Sequence, residues 1–247
     1  MAGHSKWANI KHRKGAQDAK RGKIFTKIIK EITISSRLGG SDIDSNPRLR
    51  KAVSNAKSKN LPADKIERAI KKGIGELEGV SYEEITYEAY GPGGVAIMMD
   101  IITDNKNRSV AELRHLLSKF GGNLGESGSV SWIFDKKGQI IINSQNTKEE
   151  IALEMAIEAG ANDFEADDDI YVISTDSNLL MEVRDNLENS GYEIQSAEIE
   201  MVPKTLQKLE GEEAEMCLRL MDVLDDNDDI NKLYSNFEMN WEKLTIE

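Results

Sequence analysis

A chain of 247 residues with 39% hydrophobic and 31% charged side chains has the composition of a folded protein of two or three domains, not of a disordered one. The single cysteine, Cys217, excludes an intramolecular disulfide and a thiolate metal cage; no apolar run approaches the ~18 residues a bilayer span needs, and polar Met1–Lys14 is unlike a secretory leader, so a cytoplasmic protein without membrane attachment is expected. The net charge of -12 conceals a polarity, because residues 1–72 hold 19 Lys+Arg against 6 Asp+Glu and residues 73–247 hold 13 against 38: a basic module for a polyanionic partner is joined to an acidic body.

Residues 1–23 are too polar for a packed element and read as an extended or partly ordered arm. From Arg21 to Arg37, Ile24, Phe25, Ile28, Ile29 and Ile32 recur at helical spacing, with Lys23, Lys27, Lys30 and Arg37 on the other side; one face is expected to pack and the other to meet the partner. Gly39-Gly40 ends that helix. Asn46-Pro47 starts a second, to about Lys59, buried through Leu49, Ala52, Val53 and Ala56, and a third runs from about Pro62 to Lys72.

Beyond Gly79 the period changes to two, and Glu84–Tyr90 and Val95–Thr103 form a hairpin around Gly91-Pro92-Gly93-Gly94. An amphipathic helix over Asn107–Phe120, the glycine-rich loop Gly121–Gly128 and a strand Val130–Phe134 follow. Then come a strand Gln139–Asn143, a helix Lys148–Ala159, strands Asp163–Ala166 and Ile170–Ser174, a helix Asn178–Asn189 and a strand Glu193–Met201. That β-α-β-β-α-β order is ferredoxin-like. A helix Gly211–Leu224 and a strand Leu233–Met239 return to complete the middle domain. The expected architecture is α+β and multidomain: an N-terminal three-helix domain with its arm (1–79), a middle α/β domain (80–135 with 203–247), and a ferredoxin-like α/β domain inserted in it (136–202).

The basic front carries the strongest chemical signal, since residues 1–30 hold nine Lys/Arg against the one acid Asp18, with Trp7 among them. Such a segment pairs phosphates and offers an aromatic face to a base. Lys6, Trp7, Lys11, His12, Arg13, Lys14, Lys20, Arg21, Lys23 and Lys27 are its candidate contacts. In the loop Gly121–Ser129, Gly122 and Asn123 are candidates because small side chains let backbone amides approach a phosphate closely; the competing reading is a tight helix-to-strand connection. Lys106 and Arg108 add cationic candidates, although Asn105–Arg108 also reads as a helix-capping turn.

Catalysis and metal binding find no support. Cys217 lies among Met216, Leu218, Leu220 and Met221 as a packed thiol, and no Gly-x-Ser-x-Gly occurs. The dispersed His4, His12 and His115 make no metal site, and the runs Asp167–Asp169 and Asp225–Asp229 lack calcium-loop spacing and read as solvated turns.

Several segments resemble one family. Ala2–Lys27 (AGHSKWANIKHRKGAQDAKRGKIFTK), Asn60–Lys65, Tyr90–Gly94, Thr103–Arg108, Gly121–Gly125 and Gly128–Trp132 closely resemble the YebC/PmpR family; Lys106, Ser109 and Ile133 depart mildly from its pattern. The resemblance implies a three-domain cytoplasmic protein, described in some members as a DNA-binding transcriptional regulator and in others as a translational activator on the ribosome. The resulting expectation is a non-enzymatic nucleic-acid-binding regulator of gene expression acting on DNA; the alternative is a ribosome-associated factor contacting ribosomal RNA. No cofactor, metal, membrane or small-molecule substrate is expected, and the chain should be a monomer or weak dimer.

Overall fold

The computed structural model describes residues 21–145, 147–167 and 169–239, and among them forms seven α-helices and ten strands. These fall into two compact units, one of residues 21–131, 207–235 and 239, the other of residues 132–206 and 236–238.

The first unit begins with α1 (Arg21–Gly39), α2 (Pro47–Ser58) and α3 (Ala63–Gly73). Ile28 and Ile32 of α1 meet Leu49, Ala52, Val53 and Ala56 of α2 and Ile66 and Ala69 of α3 in one apolar cluster. Asn46 joins the first two helices. Its side chain accepts from the Leu49 amide at 3.1 Å and donates to the Ser35 and Gly40 carbonyls at 2.8 and 2.9 Å, so one residue caps the start of α2 and the end of α1. Past α2, Asn60 adopts a left-handed φ of 58°, the Leu61 amide reaches back to the Ala56 carbonyl at 2.9 Å, and the Leu61 side chain is buried. This is a Schellman-type stop with its apolar contact. A β-carbon on Gly73 would stand 2.4 Å from the Thr33 carbonyl, so glycine is what lets α3 touch α1.

The same unit continues with β1 (Glu83–Tyr90), β2 (Ala96–Thr103), α4 (Lys106–Lys119), β3 (Asn123–Leu124), β8 (Gln207–Leu209), α7 (Gly211–Asp225) and β9 (Ile230–Ser235). β1 and β2 form the expected antiparallel hairpin, from Glu83 opposite Thr103 to Tyr90 opposite Ala96. The sheet order is β3-β1-β2-β9. Seven of the eight residues of β2 are buried, because this central strand is covered on both faces, which explains its lack of alternation. In α7 Cys217 is fully buried, and burial pushes its thiol up to about 12, as befits a packed side chain.

The second unit consists mainly of β4 (Phe134–Asn143), α5 (Glu149–Ala159), β5 (Asp163–Asp167), β6 (Ile170–Asp176), α6 (Leu180–Asn189) and β7 (Ile194–Pro203). The antiparallel order β5-β6-β4-β7 is ferredoxin-like. Ile140, Ile142 and Ile173 of the sheet pack on Ala152, Ala156, Val183 and Leu187 of the helices.

Two elements differ from the expected pattern. Val130–Phe134 and Gln139–Asn143 are not separate strands: residues 131–133 form a 3-10 turn and a single strand runs from Phe134 to Asn143. The amides of Val130 and Ser131 are bound by the Glu88 carboxylate at 2.6 and 2.8 Å, which removes them from any ladder. The terminal strand likewise divides into Ile230–Ser235 and Phe237–Met239.

Candidate nucleic-acid interface

On the polar face of α1 the lysines engage the chain's own acidic segment, Lys30 buried, Lys27 part-buried and Lys23 still half exposed. Lys23 Nζ donates to the Asp226 carbonyl at 3.0 Å and pairs with its carboxylate at 3.7 Å; Lys27 Nζ donates to the Asp225 carbonyl at 2.6 Å. One turn on, Lys30 Nζ donates to the Asp228 carbonyl at 2.9 Å and to Asp229 Oδ1 at 2.6 Å, and is only 7% exposed. Spaced four and then three residues apart, the lysines lie along one stripe of α1. They grip the C-terminal end of α7, where unsatisfied carbonyls and the negative end of the helix dipole favour cations. Asp225–Asp229 is therefore not a solvated turn throughout. Its last member is buried at 6% exposure and organises a polar cluster.

Asp229 Oδ2 accepts from Ser109 at 2.6 Å, Thr103 at 3.1 Å and Arg108 at 3.3 Å, while Oδ1 takes Lys30. Burial alone would raise this carboxyl, but the bonds from Lys30, Ser109 and Arg108 prevail and hold it below the usual carboxylate range. A second cluster closes the other side of α1. Arg48 binds Glu31 with Nε–Oε1 2.7 Å and Nη2–Oε2 3.0 Å, reaches Glu84 through both terminal nitrogens, and Asn231 donates to Glu31 at 3.1 Å. The side-chain bonds to Glu31 and Glu84 keep Arg48 firmly charged. No spacing in the sequence announces either cluster, since the partners lie from 17 to 200 residues apart.

The remaining described candidates have internal work as well. Lys106 pairs with Glu83 at 2.5 Å, and Arg108 with Asp104 at 2.6 Å. Asn105 caps α4 by accepting from the Arg108 amide at 3.1 Å, so residues 105–108 are a capping turn. At the end of the glycine-rich loop, Glu88 supplies a carboxylate to the backbone amides. Its carboxylate, 7% exposed, accepts from the amides of Gly128 at 2.7 Å, Val130 and Ser131. Burial pushes Glu88 upward, yet these three amides win and lower it. Gly122 owes its identity to packing, because a β-carbon there would lie 2.5 Å from the Tyr90 carbonyl; Asn123 is exposed and starts β3. Lys6, Trp7, Lys11, His12, Arg13, Lys14 and Lys20, with the side chain of Arg21, lie outside the described residues.

A different set of cations is turned outward. Lys57 and Lys59 at the end of α2 and Lys65 and Arg68 on α3 are exposed, and none forms an ion pair among the described residues. Arg50 is exposed too and donates to the carbonyls of Ile43 and Asp44 rather than to a carboxylate. At 100° per residue Lys65, Arg68 and Lys72 form one stripe of α3, beside a second stripe where Lys71 pairs with Glu67 at 2.6 Å. These residues share the helix-turn-helix stretch stopped by Asn60 and Leu61 and started again at Ala63. Among the described residues no three His, Cys, Asp or Glu are grouped to hold a metal ion, and no helix is long and apolar enough to cross a membrane.

Residues 5–76 match the family model of the TACO1/YebC protein N-terminal domain, and residues 82–237 that of the TACO1/YebC second and third domain. The chain belongs to the TACO1/YebC family. It is 56% identical over 239 residues to a probable transcriptional regulatory protein of Desulforapulum autotrophicum, with 97% of each chain covered. It is 54% identical over 244 residues to one of Geobacter sulfurreducens, covering 99% of this chain and 98% of the relative. In structure it is similar to a conserved hypothetical protein of Aquifex aeolicus, at TM-score 0.84 and 46% identity, over 92% of this chain and 94% of the other. Membership in the TACO1/YebC family thus comes with relatives named as regulators, and the α+β architecture is that of a solved structure.

Proposed function

We propose that this protein is a non-enzymatic, cytoplasmic regulator of gene expression that binds nucleic acid, acting on DNA as its relatives' transcriptional designation implies. The observation that carries this reading is the division of the cations. Those of α1 and of Lys106–Arg108 satisfy the protein's own carboxylates and carbonyls, whereas Lys57, Lys59, Lys65 and Arg68 are exposed without such a partner among the described residues. Phosphates are what such a set of cations neutralises, and the acidic remainder of the chain limits indiscriminate adhesion. The cations of residues 6–20, which lie outside the described residues, add to this grip. Phosphate attraction positions a helix pair but does not read bases.

The test is a charge reversal of Lys57, Lys59, Lys65 and Arg68 to Glu, with binding of a labelled DNA duplex followed by anisotropy across a salt series. Neutralising each phosphate contact contributes a slope of about 0.9 in log K against log salt. Loss of binding by at least about two orders of magnitude near 100 mM salt, with an unchanged unfolding transition, is expected; unaltered binding refutes the reading. In-cell crosslinking with sequencing of both DNA and RNA decides between promoter DNA and ribosomal RNA. The second reading is a translation factor on ribosomal RNA, because phosphate attraction does not distinguish duplex DNA from ribosomal RNA.

A further inference from the structure

We propose that the hollow enclosed by the end of α1, the end of α3 and the segment from Gly75 to Tyr82 is a site for a nucleoside monophosphate group, either free or at the end of a strand. The hollow measures about 400 Å³, and all of its lining residues belong to one compact unit. That size falls within the roughly 300–1,000 Å³ of small-ligand sites, which combine apolar walls with a few convergent polar groups. It shares no residue with the set Lys57, Lys59, Lys65 and Arg68, so the inference goes beyond the nucleic-acid reading.

Two cations from different helices line this hollow, Arg37 in the last turn of α1 and Lys72 in the last turn of α3. One terminal nitrogen of Arg37 donates to Ser81 Oγ at 2.6 Å and to the Tyr82 carbonyl at 2.7 Å, which fixes the guanidinium and leaves its other N–H groups for a ligand. The stem of Lys72 lies against Gly79, where a β-carbon would stand 3.1 Å from its Cδ. Neither cation pairs with a carboxylate among the described residues. Each offsets the roughly half-charge at its helix C-terminus and retains the rest. A planar Arg fork beside a Lys point charge suits a phosphate monoester, whose charge of about −1.5 to −2 at pH 7 exceeds that of an internal diester.

The rest of the lining suits a sugar and a base. Glu78 is exposed, forms no ion pair among the described residues, and offers a carboxylate to a sugar hydroxyl, as acidic side chains do in dinucleotide sites. Leu77 and Val80 line the hollow at 39% and 53% exposure, apolar surface that a base would cover. An inorganic anion would use only the cations, and an apolar ligand only the walls. A nucleotide uses both.

Titration calorimetry of the full-length protein compares adenosine monophosphate with adenosine, and anisotropy compares a labelled oligoribonucleotide with and without a terminal phosphate. The phosphate is expected to tighten binding by about 10-fold or more, the scale of a charge-assisted hydrogen bond. A preference in the first pair assigns the site to the free nucleotide, and one in the second to a strand end. Lys72→Met keeps the stem on Gly79 and should bring that ratio close to one with an unchanged unfolding transition. Arg37→Gln should do the same; because it also removes the bonds to Ser81 and Tyr82, Lys72→Met decides if Arg37→Gln unfolds. No preference in either pair, or a preference that survives Lys72→Met, overturns the site. The variant with Lys57, Lys59, Lys65 and Arg68 reversed separates the two readings, since it should lose affinity for strands in general yet keep the preference for the monophosphate. If the unmodified protein binds no strand but binds adenosine monophosphate through Lys72, the nucleic-acid reading falls and the site stands.

Discussion

Two basic regions of similar composition have opposite fates in this molecule. The lysines of α1, at positions 23, 27 and 30, meet the end of α7 and the Asp225–Asp229 segment, where they complete the fold. The cations of α2 and α3, at 57, 59, 65 and 68, meet no carboxylate among the described residues and remain available. A cation count therefore does not locate a polyanion site. What matters is whether the chain supplies its own counter-charge, and burial decides how strongly that counter-charge is needed.

The largest expected effect is at the centre of the inward set. Asp229→Ala leaves Lys30 buried without its carboxylate, and chemical unfolding should show a loss of about 3–5 kcal/mol, as for other broken buried ion pairs; a loss below about 1 kcal/mol would mean that Lys30 escapes to solvent and the two regions do not differ. Next, Glu88→Ala frees the amides of Gly128, Val130 and Ser131 together and should cost about 2–4 kcal/mol, on the scale of about 1–3 for each buried polar group left unpaired. A smaller effect, about 1 kcal/mol, is expected for Lys27→Met, which removes one charge-assisted bond to a helix C-terminus. Lys65→Ala should leave the unfolding midpoint where it was and lower the salt dependence of nucleic-acid binding by about one phosphate's worth.

Acid provides a further way to sharpen the contrast. Asp229 and Glu88 are both held below their ordinary values of 3.8 and 4.5, so the stability they contribute is fully present above those values and is lost as pH falls through the lower folded-state values. Unfolding followed from pH 6 downward should begin to weaken near pH 4 and steepen below it. The Asp229→Asn and Glu88→Gln variants should show a flatter acid limb. An unchanged limb in both would show that other carboxylates govern acid unfolding.

Much of the fold was legible in the residues themselves. The stripe Leu49, Ala52, Val53 and Ala56 sets the buried face of α2, Asn46-Pro47 its start, and the β-α-β-β-α-β order of residues 134–203 the ferredoxin-like unit. These are local signals, carried by periodicity and by residues whose backbone preferences act within a few positions. Less of the interface was legible. Lys23, Lys27, Lys106 and Arg108 share the composition of a phosphate-binding surface, yet each is engaged by an acid or a carbonyl of the chain itself. Likewise Gly121–Gly128 has the small side chains of an anion loop, but the carboxylate of Glu88, 40 residues earlier, takes the amide of Gly128 and those of Val130 and Ser131 just beyond it.

The sequence by itself determined the helices of the front, the hairpin, the ferredoxin-like order and the strong segregation of charge, because each is written in spacing or composition. Only the tertiary structure decided which cations are spent inside and which face outward. An ion pair forms by distance in space, and folding brings Lys30 to Asp229 and Arg48 to Glu84 across separations that no local pattern records.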